Sequence, residues 1–378
     1  MHRGAVISLT TAVALGVAVF FTLYSLIPVT RADDPGLSSL FVGTMMAFVM
    51  AVQVFTPALV RRFSLRLVLT VSLALLAIGA LVTGTAQTTV VLLVGAVLSG
   101  AGFGIVIVAG AQGIALLVPA QQLGRVLGIY GLVTMAATAL GSPAGVQLAL
   151  AYSTSVFGVC AFIVGVLAAG LSLRLPPGVG TSDPDPDPTM TPDAPEGGRV
   201  QRFVAGAPWL ALALLLAVVV LFSHGLTSLP VLASSFGGAA LVVFTVQLGN
   251  ALGRGIGGEL EARIEAPAAL VVGSLSLAAG GVLGVLVSVA AAMLASGVLI
   301  GLGVGIVQTL TLHTTMRRMD PGRASVVWNL GVDGGLWVGG ILWGLALASG
   351  TVGAGSIVVS VMALALGVAV ALRLRRPA

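Results

Sequence analysis

Apolar residues run along this chain in twelve blocks, separated by short polar segments that hold nearly all of its charge. The blocks cover 5–28, 37–60, 67–86, 90–117, 126–149, 153–173, 208–231, 238–257, 267–287, 290–313, 324–347 and 353–372. Each is about the 20 residues that a helix needs to cross a bilayer's hydrocarbon core. The blocks are apolar nearly all round and lack the period-2 alternation of a barrel strand, so the pattern predicts helices and excludes a β-barrel. Frequent Gly, Ala and Ser within them suit close helix approach in lipid. The expected fold class is an all-α membrane protein of twelve spans in two six-helix bundles.

Between spans 6 and 7 the pattern breaks. Residues 175–205 hold Pro176-Pro177, the run Asp183-Pro184-Asp185-Pro186-Asp187-Pro188 and Glu196-Gly197-Gly198. Repeated proline blocks helix and sheet, and the acids keep the segment solvated, so a disordered cytoplasmic linker is expected. It divides the chain into an N-terminal half, 1–174, and a C-terminal half, 206–378.

Composition agrees with the pattern. Of 378 residues 58% are hydrophobic and only 8% charged, too few charges to coat a water-facing surface. A soluble enzyme and a secreted disulfide scaffold are excluded, the latter also by the lone Cys160. The net charge of +5 does not point to nucleic acid, because its 17 basic residues, all Arg, lie between apolar blocks rather than on one face. With both termini inside, Arg31 alone falls in an outer segment, which fixes the expected orientation by the positive-inside rule. A bacterial plasma (inner) membrane with both termini cytoplasmic is the expected location.

The halves repeat each other. Arg62 and Arg263, in the loops after spans 2 and 8, stand 201 positions apart. So do Gly100-Ala-Gly102-Phe-Gly104 of span 4 and Gly301-Leu-Gly303-Val-Gly305 of span 10. Gly124-Arg125 and Gly322-Arg323, which open spans 5 and 11, are 198 apart. A parallel repeat of this kind puts a substrate site at the bilayer midplane, between halves that rock against each other.

On these features the chain resembles the major facilitator superfamily over its whole length apart from the linker. That family's loop 2–3 motif, G-x-L-A-D-R-x-G-R-R, aligns with Pro57 to Arg66 and keeps Leu59, Arg62, Phe63 and Arg66. Arg61 replaces its acid and Ser64 its second Gly. In the second half Gly258, Leu260 and Arg263 match, with Ala262 in the acid's place. The resemblance implies a gating role for Arg62, Arg66, Gly258 and Arg263, with Glu259 or Glu261 standing in for the missing acid. The family's span 4 motif R-x-x-Q-G-x-G appears as Ala96-x-x-Ser99-Gly100-x-Gly102, without its Arg and Gln. Span 5 carries Gly141-Ser142-Pro143-Ala144-Gly145, similar to the antiporter motif G-x-x-x-G-P-x-x-G-G, which implies a gate at Gly141, Pro143 and Gly145.

Eleven of the twelve acids lie in loops or the linker; the exception is Asp333 in span 11, placed near the midplane. Inserting a charged Asp at a span's centre costs about 2.5–3.5 kcal/mol. The segment Trp328-Asn329-Leu330-Gly331-Val332-Asp333-Gly334-Gly335 resembles N-L-x-x-D-x-G of span 11 in some bacterial exporters of this family. Helical spacing puts Asn329, Asp333 and Trp337 on one side. Two readings stand: a proton-titrating carboxylate, or a protonated Asp that hydrogen-bonds Asn329 or a carbonyl and only packs helices. His224 of span 7 is the second candidate for proton coupling, against a neutral His that makes one hydrogen bond. Gln112, Gln308, Asn329 and Trp337 are candidate substrate contacts, against a plain helix-bridging role.

The glycine runs sit inside spans with no strand before them, and G-x-x-x-x-G-K-[ST] does not occur, so neither a nucleotide nor a cofactor is expected. Arg254 reads as lying toward the inner end of span 8, away from the midplane, which favours a neutral, lipophilic or cationic substrate. The expected partners are a small-molecule substrate, protons and the lipid bilayer. The expected activity is proton-coupled export. Proton-symport import, or a non-transporting receptor or assembly protein on the same fold, are the alternatives.

The orientation is testable by cysteine labelling from outside in a Cys160-free background. A cysteine at position 34 should be modified, and cysteines at 185 and 376 should be spared. Strong labelling at 185 overturns the twelve-span count.

Overall fold

The computed structural model describes residues 3–181, 206–286, 289–319 and 321–375, and among them all regular structure is helical. Twelve helices are long and apolar enough to cross a membrane. The first six spans are Arg3–Thr30, Pro35–Gln53, Leu65–Thr85, Thr89–Leu117, Ala120–Ala151 and Thr154–Ser172. Spans 7 to 12 are Trp209–Leu226, Ala239–Ile264, Ala266–Leu283, Ala290–Met316, Pro321–Ser349 and Val352–Arg375. The chain is a multi-pass membrane protein. Most of the expected linker, 182–205, lies outside the described residues. The start of that segment folds back on the loop after span 2, where Leu65 N–H donates to Val179 O at 2.8 Å.

Two spans are broken where continuous helices were expected. Span 2 stops at Gln53, and a short helix, Thr56–Phe63, follows. Pro57 is the cause: it has no N–H for the Gln53 carbonyl four residues back, and its ring crowds that carbonyl. Pro230 does the same to Leu226, so span 7 ends there and restarts as Ser228–Ala233 after Thr227 at φ −118° and ψ −68°. Pro28 and Pro143 sit within spans 1 and 5 without breaking them.

The repeat read from the sequence reappears in the packing. A Cβ on Gly100 would strike Met45 O, and one on Gly301 would strike Val246 O. Gly104 lies against Val49 O as Gly305 lies against Asn250 O, and Gly102 against Leu76 N as Gly303 against Leu277 N. Every one of these partner pairs is 201 positions apart. The glycine triplets of spans 4 and 10 thus let two backbones approach on opposite faces, spans 2 and 3 in one half and spans 8 and 9 in the other. Any side chain at these positions would push the helices apart.

The loops repeat as well. Ser64 (φ 71°, ψ 150°) and Glu265 (φ 64°, ψ 149°), again 201 apart, are the non-glycine residues with positive φ among those described. That region is almost confined to glycine, which gives a physical reason for the Gly in the motif that Ser64 interrupts.

Contacts between the two sets of six helices run mainly along spans 2 and 11 and along spans 5 and 8, with span 1 against Ser228–Ala233. At the end that carries Arg31 and Ser349, spans 1, 2, 7 and 11 close on one another. Pro28, Pro35, Ser39, Gly340 and Gly344 there surround a cavity of about 10 Å³, room for about one water.

Backbone strain at Ser64 is of the order of 1–3 kcal/mol. Ser64→Gly should therefore raise the unfolding temperature in detergent, whereas Ser64→Ala should leave it near the parent value. A glycine variant that melts no higher than the parent contradicts the strain.

Candidate functional site

Polar groups that cross from one set of helices to the other mark the site. Toward the Arg31 end, Tyr24 of span 1 is fully buried. Its one proton goes to Leu336 O of span 11 at 2.7 Å, so the Ser223 hydroxyl of span 7, at 2.6 Å, donates to Tyr24 Oη. Farther along the same interface, Gln53 Nε2 donates to Asp333 Oδ2 at 2.6 Å. Asp333 is 7% exposed and Gln53 3%, so this amide and carboxyl meet away from bulk water.

The break in span 2 decides this contact. Gln53 is the last residue of span 2 because Pro57 ends the helix there, and Asp333 lies 16 residues before the end of span 11. Asp333 therefore faces the terminal turn of span 2 rather than the middle of the span. Its hydrogen-bond partner is Gln53, a residue singled out by no motif. In the sequence Gln53 stands out only as a polar residue inside an apolar block.

The other candidates spread out. Asn329, one turn before Asp333, is half-buried, and Trp337 is 37% exposed beside Gly43. His224 is fully buried, but it faces other residues of the second half: its ring lies 4.6 Å from that of Trp343, and Nδ1 meets Ser228 Oγ. The structure does not bring His224 to Asp333. Gln112 has a buried Oε1, as Asn250 has a buried Oδ1, with no partner among the described residues.

Gln308 is engaged. Its Oε1 accepts from Arg254 Nε at 3.2 Å and Nη2 at 2.7 Å. The Arg254 guanidinium also lies 5.8 Å from the centroid of the Trp328 ring, and Trp328 Nε1 donates to Thr311 Oγ1 at 3.2 Å. Arg254 is thus partly buried against spans 10 and 11.

Among the gating candidates, Gly141 and Gly145 seat span 5 on span 1, against Ala18 and Thr22, with Pro143 between them. Arg62 stacks on Phe63 at 5.2 Å, and among the described residues no acid pairs with Arg62 or Arg66. Gly258 stands in open space, and beside it Glu259 pairs with Arg263 at 2.6 Å on an exposed helix surface. Glu261 pairs with His313 at 2.6 Å and Arg317 at 3.6 Å. Both acids that stood in for the motif's missing one are thus bound within the second half. Among the described residues no group of three or more His, Cys, Asp or Glu comes together to hold a metal.

Comparison with known proteins agrees with this architecture. The sequence profile described as the Major Facilitator Superfamily matches residues 6–331. No curated protein matches the chain in sequence. A crystal structure of a variant of the peptide transporter POT superposes with a TM-score of 0.80 at 12% identity, covering 98% of this chain and 94% of that one. The nucleoside transporter NupG superposes with a TM-score of 0.69 at 11% identity over 100% of both chains. At such identities the likeness is one of fold. With the repeat in its packing and a profile that spans both halves, this chain belongs to the Major Facilitator Superfamily.

Proposed function

We propose that this protein is a proton-coupled secondary transporter that exports a small organic molecule by alternating access, with Asp333 as its coupling carboxylate. The carrying observation is the Gln53–Asp333 hydrogen bond, which joins spans 2 and 11 through a buried carboxyl group. An ionisable residue inside a span that contacts the opposite half is placed to couple a charge change to the movement of the halves. In the ionised state Asp333 accepts a charge-assisted hydrogen bond from Gln53. Protonation neutralises the carboxyl, weakens that bond and lets the interface part. The proton then leaves on the opposite side, and the ionised carboxylate draws Gln53 back.

Residues 1–174 and 206–378 act in this reading as the two moving bodies, joined by the 175–205 linker. The glycine contacts within each half support treating each as a rigid unit. The Gly141–Gly145 segment of span 5, which resembles the antiporter motif, supports the outward direction. Arginine asymmetry supports cytoplasmic termini in a bacterial plasma membrane. One proton entering contributes about 2.3 kcal/mol per 100 mV of membrane potential, enough to hold an outward gradient of about fiftyfold.

Inside-out vesicles with an imposed pH gradient, assayed with a panel of small compounds, test the reading. Asp333→Asn keeps the shape and the contact with Gln53 but cannot titrate. It should insert normally and abolish gradient-driven accumulation, while exchange of substrate for substrate continues. Accumulation by the Asn variant equal to the parent's means that Asp333 only packs helices.

A further inference from the structure

Two charged side chains sit among the interior polar groups, and the reading above uses only Asp333. The internal repeat gives the other, the partly buried Arg254, a counterpart in the first half. Arg254 is the counterpart of Gln53, 201 positions later, on the backbone stretch where Val246 and Asn250 mirror Met45 and Val49. Gln53 reaches across to Asp333 of span 11. One turn before Arg254, Asn250 Nδ2 reaches across to Met135 Sδ of span 5 at 3.9 Å. Met135 is in turn the counterpart of Asp333 at the 198-residue offset of spans 5 and 11. The spans 5 and 8 interface thus carries one amide contact, from Asn250, while Arg254 one turn on is held by Gln308 of span 10 and Trp328 of span 11.

The cation has no carboxylate partner among the described residues. Gln308 Oε1 takes two of its N–H groups, and a guanidinium has five. An amide oxygen is neutral, so it orients the group without compensating its charge. The contact of span 8 with span 10 is backbone-tight at Gly253 and Gly305, which fixes the helix that carries Arg254. Trp328 adds a flat aromatic wall on one side of the guanidinium. The fork geometry of a guanidinium matches a carboxylate in two parallel hydrogen bonds.

We infer that Arg254, oriented by Gln308 and walled by Trp328, binds a carboxylate group on the transported molecule. The inference rests on the transport reading but not on proton coupling. If Arg254 were only a brace between spans 8 and 10, the charge of a ligand would be immaterial.

Thermal unfolding of the purified full-length protein tests this, with benzoate, phenylacetate and hexanoate set against benzamide, phenylacetamide and hexanamide. At least one acid should raise the melting temperature saturably where its amide does not. Arg254→Gln should weaken that response by about tenfold or more, and Arg254→Lys should keep part of it. Gln308→Glu supplies an internal carboxylate to Arg254, so this variant should fold stably and lose the response to added acid. Acids and amides acting alike, none of the acids acting, or an undiminished response in Gln308→Glu overturns the inference. Binding is read here without a gradient, so a failure of acid binding is separate from a failure of pH coupling.

Discussion

A carboxyl group inside a bundle of apolar helices has to be met by a hydrogen-bond donor, and here the donor comes from the opposite half of the molecule. Gln53 and Asp333 are 280 positions apart in the chain and 2.6 Å apart in space. Hydrogen bonds between helices in membranes contribute only about 0.6 kcal/mol on average. The pair therefore acts less through its strength than through the cost of leaving either group unpaired in an apolar interior. That cost depends on whether the carboxyl is ionised, so the contact is sensitive to a single proton.

The rest of the fold suits the movement proposed at this contact. Within each half, glycine triplets bring backbones together on two faces of spans 4 and 10, and such packing has little room to deform. Among the described residues the polar contacts between the halves are few: Tyr24 with Ser223 and Leu336, Ser39 with Ile341 O, Gln53 with Asp333, and Asn250 with Met135. Halves that are stiff inside and joined by few polar contacts suit the proposed alternating access. Proline sets where the interface groups lie, since Pro57 ends span 2 at the residue that meets Asp333.

Much of the scaffold was legible in the sequence because it follows from local rules. Twelve apolar blocks became twelve spans, and the offset of 201 that linked the two glycine triplets reappeared, residue for residue, in what those glycines touch. Hydropathy was blind to the breaks at Gln53 and Leu226, because it counts apolar residues and not lost N–H donors. Pro57 and Pro230 carried that information. The partner of Asp333 was not legible either, since helical spacing relates Asn329 and Trp337 to Asp333 but says nothing of a different helix. Arg254 seemed to belong to the polar end of span 8 by its position in the block. The repeat equates it with Gln53, but the groups that hold it, Gln308 and Trp328, come from other helices of the same half. His224, the second candidate for proton coupling, sits on the face of span 7 that turns to Trp343.

In the proposed mechanism the charge state of Asp333 governs how the two halves sit against each other. Spin labels at Asp33→Cys and Thr351→Cys, in a Cys160-free background, report the separation across the Arg31 end by double electron–electron resonance. The distance distribution should shift with pH in the parent protein and should no longer shift when Asp333→Asn is added. A pH response that survives in the Asn variant, or a parent protein whose distances ignore pH, would contradict the claim.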